Sequence, residues 1–98
     1  MDEIRKALEE IDGMRAEKGL SPEEREEMEM AAVALRNAER EWIERTTDGI
    51  NDRLKEAADA LKERSSAIRE KTSRLNSPSR VMARIKDILD KIIELIRL

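Results

Sequence analysis

Apolar residues recur at intervals of three and four along most of this chain, the spacing of helices with one buried face. The first stretch aligns Ile4, Ala7, Leu8, Ile11 and Met14 and predicts a helix over about 2–18. Gly13 weakens its interior by about 1 kcal/mol relative to Ala. Asp2 and Lys6 stand four apart, as a surface pair would. Gly19 suits the left-handed position that ends a helix, with Leu20 folding back towards Met14.

The second stretch has the clearest start. Ser21 is placed to cap, Pro22 fits the first helical position, and Glu24 closes a capping box. Glu23, Glu24, Glu26 and Glu27 complement the positive end of the helix dipole. The apolar stripe, Met28, Ala31, Ala32, Leu35, Ala38, Trp42 and Ile43, predicts a helix over about 22–46. A third helix is expected over about 50–75, on Ile50, Leu54, Ala57, Ala58, Leu61, Ser65, Ile68, Thr72 and Leu75. Ser65 and Thr72 in that seam allow close approach and weaken burial, while Glu70 and Arg74 make another i,i+4 pair. Pro78 then ends one helix and opens the next, with Ser77 as its cap. That last helix, about 78–98, has the widest apolar face: Val81, Met82, Ile85, Ile88, Leu89, Ile92, Ile93, Leu95 and Ile96. Asp87 and Lys91 form a surface pair on it.

Thr46-Thr47-Asp48-Gly49 admits two folds. A turn there, with Asp48 capping the next helix, gives an antiparallel bundle of four helices in a single domain, 1–98. If the apolar phase runs on unbroken, there are three helices instead. The middle one is then very long, roughly 80 Å at 1.5 Å per residue, and needs another chain beside it as a coiled-coil oligomer. Short elements favour the turn. Both folds are all-α.

Composition agrees with that class. Charged residues make up 44% of the 98 and aromatics 1%, which fits a bundle better than a sandwich or barrel. The net charge of −3 is unevenly spread. Residues 1–61 hold ten Lys/Arg against eighteen Asp/Glu, and residues 62–86 hold eight against two. A hairpin would bring the acidic start of the second helix, Glu23–Glu29, against the basic residues Arg64, Arg69, Lys71 and Arg74.

The residue types present argue against chemistry. His and Cys are absent, so Ser and Thr lack an imidazole to activate them, and zinc or di-iron sites lack their usual ligands. No Ser-x-x-Lys spacing occurs. Asp48-Gly49-Ile50-Asn51-Asp52 lacks the spacing of a calcium loop, and three scattered Gly make no phosphate cradle. The expectation is a non-enzyme without cofactor or metal. Nucleic-acid binding through the basic 62–86 segment lacks aromatic stacking partners, and the chain is acidic overall. The last helix mixes both charge signs on its polar face, unlike a membrane-surface helix. An acidic amphipathic start is no signal peptide, and no apolar run reaches the length of a span, so the cytoplasm is the default location.

The reduced alphabet and the helix starts at Ser21-Pro22 and Ser77-Pro78 resemble those of designed helical bundles. Thr46-Thr47, Ser65-Ser66, Gly13 and the excess of Arg over Lys resemble natural sequence. Two functions fit. One is a structural bundle, of designed or synthetic origin, that self-associates through apolar helix faces. The other is a small natural bacterial adaptor that binds a partner protein's helix. Trp42, Ile43, Ile85, Leu89, Ile92 and Ile96 are the expected interface residues, and Met14, Met28, Met30 and Met82 are expected to fill gaps.

Overall fold

The capping box forms as its spacing predicts. In a computed structural model that describes residues 2–44, 52–74 and 79–96, the Ser21 N–H donates to Glu24 Oε1 at 2.8 Å. The Glu24 N–H donates back to Ser21 Oγ at 3.1 Å. Four helices follow one another: α1 (Asp2–Met14), α2 (Pro22–Glu44), α3 (Asp52–Ser73) and α4 (Arg80–Leu95). Among the described residues there is no strand.

Side-chain ties give the directions. Arg5, early in α1, meets Glu39, late in α2. Glu27, early in α2, meets Lys71, late in α3. Ser79, just before α4, meets Glu24 at the start of α2. The helices therefore alternate up, down, up, down. One continuous helix from Pro22 to Leu75 would hold Glu27 and Lys71 about 66 Å apart. Their charged atoms lie 3.0 Å apart, so the chain folds as a four-helix bundle and the long central helix is ruled out. The expected turn at Thr46–Gly49, with its Asp48 cap, lies outside the described residues.

The bundle is sheared. α2 and α4 each contact all three other helices, whereas α1 and α3 do not touch. Ala31, Ala32 and Ala38 of α2 are all fully buried. Small side chains let helix axes approach more closely than Leu or Ile would. Larger residues, including Ile4, Ile11, Leu35, Leu61, Ile68, Ile85 and Leu89, fill the rest of the core. Each such side chain stabilises the fold by about 1.5–3 kcal/mol. Of the methionines expected to fill gaps, Met14, Met28 and Met82 are buried, and Met30 is half-buried.

Several details depart from expectation. α1 stops at Met14, four residues early. Its last turn tightens: the N–H groups of Ala16 and Glu17 donate to the carbonyls three residues back, Gly13 and Met14. Gly19 does adopt a left-handed φ of 82°, but it shapes the connection that leads Leu20 onto the core. At α4 the cap is Ser79, in extended conformation, with its hydroxyl accepting from the Met82 N–H; the helix starts at Arg80. The apolar stripe of α2 ends at Trp42, which packs against the core. Ile43 is one residue and about 100° further round the helix, and it stands 67% exposed. Leu95 is likewise exposed, while its neighbour Ile96 is buried. Among the described residues, Asp2–Lys6, Glu70–Arg74 and Asp87–Lys91 do not close into ion pairs. The i,i+4 pair that forms on α4 is Lys86–Asp90, which a third partner reinforces.

Candidate functional site

Buried and half-buried polar groups form three ties between helices. The strongest centres on Glu27, fully buried on the edge of α2 that faces α3. Arg64 Nε donates to Glu27 Oε1 at 2.6 Å, and Lys71 Nζ donates to Oε2 at 3.0 Å. Arg64 and Lys71 are seven residues apart, two turns along the same face of α3. Their long side chains converge on one carboxylate, so both oxygens are engaged by charge-assisted hydrogen bonds.

The second tie links two helix starts. Glu24 Oε2 accepts from Ser79 Oγ at 2.7 Å while Oε1 serves the α2 capping box. The Ser21 N–H, and then the Ser79 hydroxyl, hold the Glu24 carboxyl below the usual glutamate range. Ser79 both donates to Glu24 and accepts from the Met82 N–H, so one hydroxyl caps α4 and pins it to α2.

The third tie joins α3 to α4. The buried Ser65 hydroxyl donates to Asp90 Oδ1 at 2.5 Å, and Lys86 Nζ donates to Oδ2 at 2.6 Å. Burial pushes the Asp90 carboxyl upward. The hydrogen bonds from Lys86 and Ser65, together with the Lys86 charge, outweigh burial and hold it low. Outside these ties, Arg5–Glu39, Arg15–Glu29 and Arg84–Glu17 bridge helices and connections at the surface. The Arg15 contact is one of charge alone: its Nη2 lies 3.0 Å from Glu29 Oε1 without an aligned hydrogen bond.

The third tie borders a shallow groove on the α3–α4 face that Arg69, Lys86, Asp90 and Ile93 help to line, and there the Asp90 oxygens are already bonded to Ser65 and Lys86. Two further grooves follow other helix seams. One runs between α1 and α4, with Ala7, Ile88 and Ile92 between Lys6, Glu10 and Arg84. The other follows the α2–α3 seam, with Met30, Val33, Ala34 and Ala60 beside Glu29 and Arg64. Among the described residues no three carboxylates gather as a metal site, and no helix is long and apolar enough to cross a membrane.

The expected interface residues separate. Ile85, Leu89, Ile92 and Ile96 lie in the core of the single chain, because α4 closes against all three other helices. Trp42 is half-buried against that core, and Ile43 is the exposed member of the set. The basic residues also divide. Arg64 and Lys71 turn inward to Glu27, while Arg69 and Arg74 are exposed. Charge pattern alone pairs the acidic and basic ends but does not single out Glu27. The available signal is its spacing: Glu27 stands four residues before Ala31 and eleven before Ala38, on the edge of the buried stripe.

Comparison with protein-family models, with curated proteins and with solved structures finds no match to this chain.

Proposed function

We propose that this chain is a non-catalytic structural bundle that associates with itself through its outer surface. The observation behind this reading is the use of its buried and half-buried polar groups. Glu27, Glu24, Ser79, Ser65 and Asp90 are all committed to holding helices together. The apolar face of α4 is used inside the chain, so association falls to exposed side chains such as Val33 and Ile43. The reduced alphabet and regular caps support a chain, designed or design-like, whose fold is itself the product. Sedimentation equilibrium over a range of concentrations tests the reading. A mass above the 11.3 kDa of one chain that rises with concentration is expected. A strict monomer at about 1 mM would count against it.

A helical adaptor is the second reading, and the α1–α4 groove favours it. Apolar Ala7, Ile88 and Ile92 form its floor, and Lys6, Glu10 and Arg84 its rim, which suits an amphipathic partner helix. Nucleic-acid binding loses support because Arg64 and Lys71 already neutralise Glu27.

A further inference from the structure

The face of α2 opposite the core carries charges in an order that complements itself. Glu26, Val33 and Arg40 are spaced by seven residues, and Met30 and Arg36 lie between them, so all five share one stripe. The core residues Met28, Ala31, Ala32 and Leu35 point the other way. Along the stripe, acidic residues come first, apolar Met30 and Val33 occupy the middle, and basic residues follow. Val33 is 51% exposed, and Glu26, Arg36 and Arg40 are exposed. Among the described residues, Arg40 bonds or pairs with its neighbours Asn37 and Glu41 alone. Among the described residues, the side chains of Glu26 and Arg36 meet no partner inside the chain.

We infer that this face docks against the same face of a second copy, with the two α2 helices antiparallel and a two-fold axis at Val33. The inference rests on the self-association proposed above and assigns its surface. With Val33 against Val33, Glu26 of one copy stands opposite Arg40 of the other, and the reverse holds across the axis. Each pair lies about 10 Å from the axis along the helix. Arg36 falls opposite the Glu29–Met30 step. Two-fold symmetry doubles every favourable pair, as a self-complementary interface requires. A parallel arrangement would set Glu26 on Glu26 and Arg40 on Arg40, so the charge order selects antiparallel docking. Met30, Val33, Ala34 and Ala60 supply only a small apolar centre. The dimer is therefore weak and sensitive to salt.

The test is sedimentation equilibrium of the full chain from about 0.05 to about 1 mM, in about 20 mM and about 500 mM NaCl. Low salt should give a mass rising towards twice 11.3 kDa, and high salt should weaken the dimer. Val33→Lys places like charges together on the axis, and Arg40→Glu sets a carboxylate opposite Glu26 of the other copy. Each should weaken self-association by about tenfold or more, with unchanged helical circular dichroism because both sites are exposed. Mixing Glu26→Arg with Arg40→Glu should restore association between the two variants. A dimer that ignores these substitutions overturns the assigned face and leaves self-association standing. A monomer under all conditions overturns both.

Discussion

Replacing Glu27 with glutamine keeps the side-chain volume and removes the charge on which two cations converge. Loss of one member of a fully buried ion pair costs about 3–5 kcal/mol, because the remaining charge is left uncompensated. Here the cations are less enclosed than the carboxylate: side-chain exposure is 23% for Arg64 and 39% for Lys71, against 0% for Glu27. Both can turn towards water, so the cost falls to about 2 kcal/mol after that discount. For a chain of this size, this corresponds to a fall in Tm of about 10 °C. Urea denaturation followed by helical circular dichroism, with Trp42 fluorescence as a second probe, measures it by linear extrapolation. A double-mutant cycle then separates the two cations. Arg64 is closer and less exposed, so the coupling of Glu27 to Arg64 should exceed its coupling to Lys71. If Glu27→Gln stays within about 0.5 kcal/mol of the parent, or if Lys71 couples more strongly, the account of this tie is wrong.

Ser79→Ala removes the α4 cap and a donor to Glu24, and should lower unfolding free energy by about 1–2 kcal/mol in the same urea assay; no change would mean the cap contributes nothing. Acid should destabilise the fold through Glu24 and Asp90, whose folded carboxyls titrate below their ordinary values of 4.5 and 3.8. A depressed folded pKa gives stability that is present above the ordinary value and lost as pH falls through the folded one. The urea midpoint should therefore drop below about pH 4.5, and less steeply in Ser79→Ala; a parent and variant with parallel pH profiles would refute the Ser79 contribution. The two described glycines should respond in opposite directions. Gly13→Ala meets no atom within 4 Å in a helix and should stabilise by about 0.5 kcal/mol. Gly19→Ala forces a side chain into φ 82° and should destabilise by about 1 kcal/mol. A thermal melt of each variant decides both signs.

What could be read from the sequence was local. The Ser21–Glu24 capping box and the stripe from Met28 to Ala38 are set by residues three and four apart, and both form as their spacing implies. What escaped depends on how helices rotate against one another. Glu27 looks like one of several glutamates opening α2, until α3 brings Arg64 and Lys71 to its edge. The α4 cap expected at Ser77 is instead Ser79, whose hydroxyl donates to the Glu24 carboxylate 55 residues earlier. The apolar face of α4 was legible, but not whether it would meet its own chain or another. It meets its own, because α1, α2 and α3 all lie against it. Ser65 shows the same dependence. A hydroxyl in an apolar seam weakens burial in isolation, and here it supplies a partner for Asp90 across the seam.

The sheared packing has a consequence for how the molecule comes apart. α1 contacts α2 and α4 but not α3, and it is the shortest helix, at 13 residues. Its departure would expose Ile4, Ile11 and Met14 without disturbing the ties among the other three helices, since Glu27, Glu24 and Ser65 all find their partners there. α1 should therefore behave as a cooperative unit of its own, opening below the global unfolding free energy. Amide protons of α1 should exchange with solvent sooner than those of α2 and α4, which form the slow-exchanging centre. The N-terminal helix is then a detachable cover over a three-helix remainder, and the order of opening is set by which diagonal of the bundle is closed.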